Sequence, residues 1–192
     1  MKIAIDLDDV VVDFVNGFLK TYELIYGKKF PFEKIISYNF CKCLKIPKEE
    51  AYGLVNRFYE TDYFKNIVFI KGAKEGIHKL AKKGQIYFVT ARPLKIKDKT
   101  RVFIEEHFPN IFLEIIHSGD LFSNQGPTKA TICKKKNIEF LIDDNKNYAI
   151  ECASNGTKVL LFDKPWNKDL DNDKNIYRVY NWREVLDIIN LG

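Results

Sequence analysis

Short apolar runs recur along this chain at intervals set by helical patterns. Residues 2–6 (Lys-Ile-Ala-Ile-Asp) read as a buried strand that ends in an acid. Similar runs occupy residues 85–90, 112–117, 139–142 and 157–162. Runs of this length suit strands covered on both faces, as in parallel sheets. Between them lie helical patterns. Residues 73–83 place Ile77, Leu80 and Ala81 on one face, with Gly84 as a stop signal, and residues 98–107 place Val102, Phe103 and Glu106 at helical spacing. Pro127 is expected at the first position of a helix reaching to about 136, and residues 146–154 and 182–190 complete the set. Strands alternating with helices predict an α/β protein built on a doubly wound parallel sheet.

One segment breaks the alternation. Residues 14–71 are too long for a simple connection and read mostly helical, through Phe14, Phe18, Leu19, Tyr22, Ile25 and Tyr26, then Ala51, Leu54, Val55 and Phe58. The expected division is a core of residues 1–13 and 72–192 and a small helical insert of residues 14–71 over the carboxyl edge of the sheet.

The 192 residues are 46% hydrophobic and 30% charged, which is enough to bury a core without disulfides and excludes a disordered chain. No run approaches a membrane span, and acids at Asp6, Asp8, Asp9 and Asp13 interrupt the N-terminal segment where a leader would stay apolar. A cytoplasmic protein is expected. Cys41, Cys43, Cys133 and Cys152 show no zinc spacing and read as free thiols. The net charge of +5 is spread over helix faces, with Lys134-Lys135-Lys136 as a solvated helix end, so nucleic acid is not the expected partner. Asp169, Asp171 and Asp173 begin like a calcium loop, but Lys174 stands where Gly is required and Tyr180 where Glu is required, so a polar surface loop is expected.

In open α/β sheets ligands bind beyond the carboxyl ends of the strands. Here those ends carry Asp6-Leu7-Asp8-Asp9, Thr90-Ala91-Arg92 and Asp143-Asp144, with Lys129 in the first turn of the helix before the fourth strand. Asp6, Asp8, Asp143 and Asp144 cannot all ionise side by side without a counter-charge, and hard oxygen ligands suit Mg²⁺. A carboxylate can attack phosphorus when a metal and a cation neutralise the phosphate oxygens. A second carboxyl two residues on can move the proton. Thr90 and Ala91 offer a hydroxyl and loop N–H groups to a phosphate, and Lys129 offers a charge.

These residues resemble the four ordered motifs of the haloacid-dehalogenase-like (HAD) hydrolases: Asp6-Leu7-Asp8-Asp9-Val10, Thr90 after Ile86-Tyr87-Phe88-Val89, Lys129, and Asp143-Asp144. The resemblance implies a Rossmann-like core, Asp6 as nucleophile forming an aspartyl-phosphate, and Asp8 as general acid/base. It implies Mg²⁺ held by the Asp6 carboxylate, the Asp8 backbone carbonyl and a motif IV acid, with Asp144 favoured as direct ligand and Asp143 as its neighbour. Asp8 argues against the dehalogenase branch, which lacks that acid. Many members carry Gly where this chain has Asp9; Asp9 either lines the cap entrance and discriminates substrates or is merely tolerated.

Within the superfamily the chain is similar to the 5′(3′)-deoxyribonucleotidase group and bacterial nucleotidase relatives. The similarity rests on Asp6 through Phe14, on the helical insert, and on Leu161-Phe162-Asp163-Lys164-Pro165-Trp166-Asn167. It implies that Phe14 faces a nucleobase, although aromatics at helical spacing such as Phe14, Phe18 and Tyr22 also suit a core. Arg92 reads as a contact to phosphate or to a substrate carboxylate, or as a surface residue. Trp166 reads as a loop anchor packed on the core or as a pocket edge. His78, His107 and His117 read as structural. The expected substrate is a small phosphomonoester, best a nucleoside monophosphate. The alternatives are a sugar phosphate, a phosphomutase reaction, or a non-catalytic nucleotide- or protein-binding domain. A homodimer is left open.

Overall fold

A computed structural model describes residues 1–119, 126–170 and 173–191; Asp171 of the calcium-like loop lies outside the described residues. Among these residues, six parallel strands form one sheet: β1 (Lys2–Ile5), β2 (Gln85–Thr90), β3 (Glu114–His117), β4 (Phe140–Asp143), β5 (Lys158–Phe162) and β6 (Ile176–Val179). Their order is β3-β2-β1-β4-β5-β6, so the chain reverses direction across the sheet between β1 and β4. Among the described residues, nine α-helices accompany them: α1 (Phe14–Tyr26), α2 (Phe40–Leu44), α3 (Lys48–Phe58), α4 (Asp62–Lys65), α5 (Ala73–Ala81), α6 (Lys97–His107), α7 (Lys129–Lys136), α8 (Lys146–Ser154) and α9 (Trp182–Leu191). None of the described helices is long and apolar enough to cross a membrane.

The two-residue period of the strands sorts their side chains onto two faces. Ile3, Ile5, Phe88, Ile142 and Leu160 join one buried cluster with Ile77 and Leu80 of α5 and Trp182 of α9. Ala4, Val89, Leu141 and Val159 join a second cluster with Cys133 of α7 and Cys152 of α8. The first cluster continues without a break into residues 14–71, where Phe14, Phe18 and Phe58 are buried. Phe18 stacks on Phe40 at 4.4 Å between ring centroids, and Phe14 meets Phe58 edge-on at 5.1 Å. The helical segment therefore shares the apolar core of the sheet's first face. It returns beside the loop after β1, where Asp13 N–H donates to Val68 O and Ile70 N–H donates to Val11 O.

Four expectations need correction. A sixth strand, Ile176–Val179, pairs in parallel with β5. β3 is a half-buried edge strand that begins at Glu114, not a strand covered on both faces from residue 112. Pro127 is not the first helical residue: Thr128 caps α7 by accepting from Thr131 N–H, so the helix starts at Lys129. In α6 the inward positions are Thr100 and Ile104, while Val102 is 62% exposed. Among the cysteines, Cys133 and Cys152 are buried and Cys41 and Cys43 half-buried, all unpaired as thiols.

Trp182 carries the packing of α9. Its ring is buried, and its Nε1–H donates to Val10 O in the loop after β1 at 3.0 Å. The ring lies against Gly76 of α5, where an added Cβ would meet Trp182 Cε3 at 2.6 Å. Gly76→Ala should therefore force the two helices apart and destabilise the fold by about 1–3 kcal/mol, read as a lower urea midpoint. An unchanged midpoint would show that the ring shifts without cost.

Candidate active site

The site lies where the sheet order reverses, at the carboxyl ends of β1, β2 and β4. β1 ends at Ile5, and Asp6 N–H still donates to Ile142 O at 3.0 Å, which fixes Asp6 beside Asp143. The chain then turns tightly, with Val11 and Val12 N–H both donating to Leu7 O and Asp9 at φ +59°. α7 brings Lys129 up from the second face. Its ammonium is fully buried, 2.9 Å from Asp6 Oδ1 and 2.7 Å from Asp143 Oδ2, with the Tyr148 ring centroid at 4.7 Å. Burial opposes this charge, but Asp143 and Asp6 overcome it and hold the lysine above its ordinary range.

The acids differ in what they have left to offer. Asp143 is fully used: Oδ2 takes Lys129, and Oδ1 accepts from Asp144 and Asn145 N–H at 2.9 and 2.8 Å. Asp144 Oδ2 is 2.8 Å from the Tyr38 hydroxyl and accepts Trp166 Nε1–H at 2.7 Å. Asp144 Oδ1 is buried and without a hydrogen bond. So is Asp6 Oδ1, whose ion pair with Lys129 lacks hydrogen-bond geometry. Burial first, then neighbouring carboxylates, raise Asp6 and Asp144 well above the carboxylate range, with Lys129 opposing the rise at Asp6. One carboxylate oxygen each from Asp6, Asp143 and Asp144 lie within 4.8 Å of one another. Two unsatisfied buried oxygens in an acid cluster with one lysine fit a hard divalent cation, because its charge would satisfy both.

Asp8 points to the other side. Arg92 takes both of its oxygens, with Nε at 3.1 and 3.0 Å and Nη2 at 2.6 Å. Arg92 is buried, not a surface residue, and its guanidinium faces the Phe64 ring at 5.1 Å. Burial lowers its basicity, yet Asp8 more than compensates and raises it. Thr90 is fully buried and its hydroxyl accepts Arg92 N–H at 3.1 Å.

Asp9 is fully buried. It accepts Val15 N–H at 3.2 Å on Oδ1, and its Oδ2 lies 2.8 Å from the Tyr38 hydroxyl. A phenol carries one proton, so Tyr38 cannot donate to Asp9 and Asp144 at once; the second contact needs a protonated carboxyl. Burial, only partly offset by Lys164, Tyr38 and Val15, lifts Asp9 to about 7. Burial raises Asp144 as well, so the shared proton belongs to the Asp9–Tyr38–Asp144 group as a unit.

A cavity of about 60 Å³ lies among Asp6, Asp8, Phe14, Arg92, Asp144 and Tyr148. A larger one of about 410 Å³ shares Tyr38, Phe40 and Asn145 with it. Phe14 thus serves as core and as pocket wall. Thr90 and Lys129 stand at the same sheet edge, and Ala91 lines the small cavity. The sequence reading missed Tyr38 and Tyr148, and Trp166 proves to be both anchor and site residue. His78 and His107 lie away from the acids, and His117 Nδ1 pairs with Arg92 O at 2.9 Å.

Residues 1–191 match the family model "5′ nucleotidase, deoxy (Pyrimidine), cytosolic type C protein". A nucleotidase of Clostridium acetobutylicum is 28% identical, covering 99% of this chain and 94% of its own length. A 5′(3′)-deoxyribonucleotidase of Bacillus subtilis is 31% identical, covering 95% of each. Among solved structures, a HAD-like hydrolase from Streptococcus pneumoniae superposes with a TM-score of 0.69 at 17% identity over 98% of this chain and 97% of its own. The HAD hydrolase YfnB of Bacillus subtilis, bound to magnesium, gives 0.65 at 15% identity over 98% of each. The match from end to end, the reversal-point acids and the buried lysine agree: this chain belongs to the 5′ nucleotidase, deoxy (pyrimidine), cytosolic type C family of HAD-like phosphomonoester hydrolases.

Proposed function

We propose that this chain hydrolyses nucleoside monophosphates through an aspartyl-phosphate on Asp6, with Mg²⁺ as cofactor. The observation that carries the reading is the pair of buried oxygens without a hydrogen bond, on Asp6 and Asp144, beside Lys129. The Asp6 carboxylate, the Asp8 carbonyl and Asp144 would hold the ion, which supplies charge neutralisation at the phosphate. Asp144 is favoured over Asp143 as the direct ligand, because Lys129 and two backbone N–H groups already engage both Asp143 oxygens. The family description and the names of the two relatives support a nucleotide substrate, and YfnB supports magnesium.

In this reading an Asp6 oxygen attacks phosphorus, the P–O–nucleoside bond breaks, and Asp8 gives its proton to the leaving oxygen. Asp8 then takes a proton from water, whose oxygen attacks the acyl-phosphate phosphorus, freeing phosphate and restoring Asp6. Lys129 neutralises Asp6 and Asp143, while Thr90 and the Ala91 N–H receive the phosphate oxygens. Arg92 holds Asp8 by both oxygens. Proton delivery requires Arg92 to leave Asp8, and an incoming phosphate is the natural counter-anion. Residues 14–71 act as a cap, with Phe14 as the wall nearest the nucleoside. The 60 Å³ cavity is smaller than a nucleotide, so the cap opens for entry. We place the reaction in the cytoplasm, in keeping with the cytosolic type named in the family description.

Inorganic phosphate release from ribo- and deoxyribonucleoside 5′- and 3′-monophosphates, sugar phosphates and p-nitrophenyl phosphate tests this, with Mg²⁺ and with EDTA. Metal-dependent release favouring one nucleotide class is expected; preference for sugar phosphates would remove the nucleotide reading and leave the chemistry. Asp6→Asn should lower turnover by at least about 10³-fold while the circular dichroism spectrum stays unchanged. Turnover within tenfold of the parent would exclude Asp6 as nucleophile.

The acid cluster also sets a pH dependence. Asp9 is raised to about 7, with Asp6 and Asp144 shifted the same way, so the folded state holds protons that the unfolded chain releases near pH 4. This contribution is complete below the unfolded value and is lost as pH rises toward and past 7. In EDTA the urea midpoint should therefore fall between pH 5 and pH 8, by an amount on the order of a few kcal/mol. Mg²⁺ should shrink the fall, because it binds the ionised acids of the folded state alone. A midpoint that rises over this range in EDTA would contradict the assignment.

A further inference from the structure

Asp144 is held by two donors from distant parts of the chain. Trp166 reaches it from the turn after β5, and Tyr38 reaches it from the helical segment, 106 residues away in the chain. Both meet the same oxygen, Oδ2. That leaves Oδ1 buried and unpaired, the condition a metal-binding oxygen must meet. The Tyr38 ring is itself set in place, against Phe40 at 5.9 Å and Trp166 at 5.0 Å between centroids. Its hydroxyl is pinned a second time by Asp9 Oδ2 at 2.8 Å, and Asp9 in turn is tied to the start of α1 through Val15 N–H. Asp9, Tyr38 and Asp144 thus form one chain of contacts from the loop after β1, through the insert, to the acid after β4.

We propose that Tyr38 is a positioning residue for the metal site, turning Asp144 from the insert, and that Asp9 anchors Tyr38 for that task. The proposal rests on the reading of Asp144 as a metal acid. Tyr38 donates to the carboxylate oxygen that the metal does not use, which fixes the plane of the carboxylate and spares it the cost of ordering when the ion arrives. Because Tyr38 belongs to the insert, the coupling runs both ways: the metal holds the insert near the sheet edge, and the insert raises metal affinity. This also gives Asp9 a purpose that glycine at the same backbone position lacks.

The test uses the full chain without substrate. Mn²⁺ is the probe, followed by the paramagnetic resonance of the free ion, with Mg²⁺ as competitor. Tyr38→Phe keeps the ring and its packing and removes the hydroxyl. It should weaken Kd for both ions about 10- to 100-fold. Asp9→Gly suits the left-handed backbone and leaves the Tyr38 ring in place, so it reads the same chain even where Tyr38→Phe folds poorly. It should weaken binding severalfold alone and add nothing in the Tyr38→Phe background. In turnover the metal concentration for half-saturation should rise while kcat at saturating Mg²⁺ stays within about threefold, a split that general loosening of the fold would not give. Amide exchange over residues 35–41 should slow on adding Mg²⁺ in the parent protein and not in Tyr38→Phe.

Parent-like affinity in Tyr38→Phe, beside a parent protein that binds and an Asp144→Asn variant that does not, overturns the role of Tyr38 and leaves the metal site standing. Additive effects of the two substitutions overturn the anchoring by Asp9. A parent protein that binds neither ion overturns the metal reading and this proposal together.

Discussion

The arrangement turns on a single buried lysine. Lys129 has no exposed surface, and an ammonium in that position is tolerable only with carboxylates against it. Asp6 and Asp143 meet that need from two neighbouring strands, and the Tyr148 ring of α8 closes the remaining side. One charge therefore dictates where β1, β4, α7 and α8 must meet. The start of α7 follows from the same demand: Thr128 caps the helix one residue earlier, so Lys129 is its first residue and projects toward the strand ends.

Lys129 cannot neutralise the whole cluster, and the rest of the site divides the surplus. Arg92, pressed against Phe64, takes Asp8. Tyr38 and Trp166 take one oxygen of Asp144, and Tyr38 also meets Asp9. These partners come from the turn after β2, the insert and the turn after β5. The unsatisfied remainder is confined to Asp6 Oδ1 and Asp144 Oδ1. A cation site is what is left where buried oxygens of two neighbouring acids have no hydrogen-bond donor. The insert is consequently part of the electrostatic balance and not only a cover, in keeping with the apolar cluster it shares with the sheet.

What could be seen in the sequence follows from how local each signal is. Asp6, Thr90 and Asp143 were legible because each ends an apolar run at the edge where such sheets bind ligands. The phase of α6 was not. Val102 and Phe103 suggested a face, but only Phe103 packs on the core, beside Thr100 and Ile104, while Val102 is exposed. β6 escaped because Ile176-Tyr-Arg-Val is short and its middle positions are not buried, as an edge strand allows, with Arg178 bound to Asp163. Tyr38 carried no signal at all: nothing in Ile36-Ser37-Tyr38-Asn39 points to an acid far along the chain. Trp166 was flagged by its surrounding stretch, but its donation to Asp144 needed the geometry.

Asp9 shows how such a departure from pattern is sustained. A left-handed backbone costs a residue with a Cβ roughly 1–2 kcal/mol, although aspartate bears it better than most. Full burial adds a second cost, visible in the rise of its carboxyl to about 7. Against these stand the contacts to Val15 N–H and to the Tyr38 hydroxyl, neither of which glycine could make. Mere tolerance at the position would call for an exposed or idle side chain, and Asp9 is neither. Nor does it line the small cavity, so a direct part in choosing substrate is not where its contacts lead. They lead through Tyr38 to Asp144, which makes the position a link between the insert and the acid cluster.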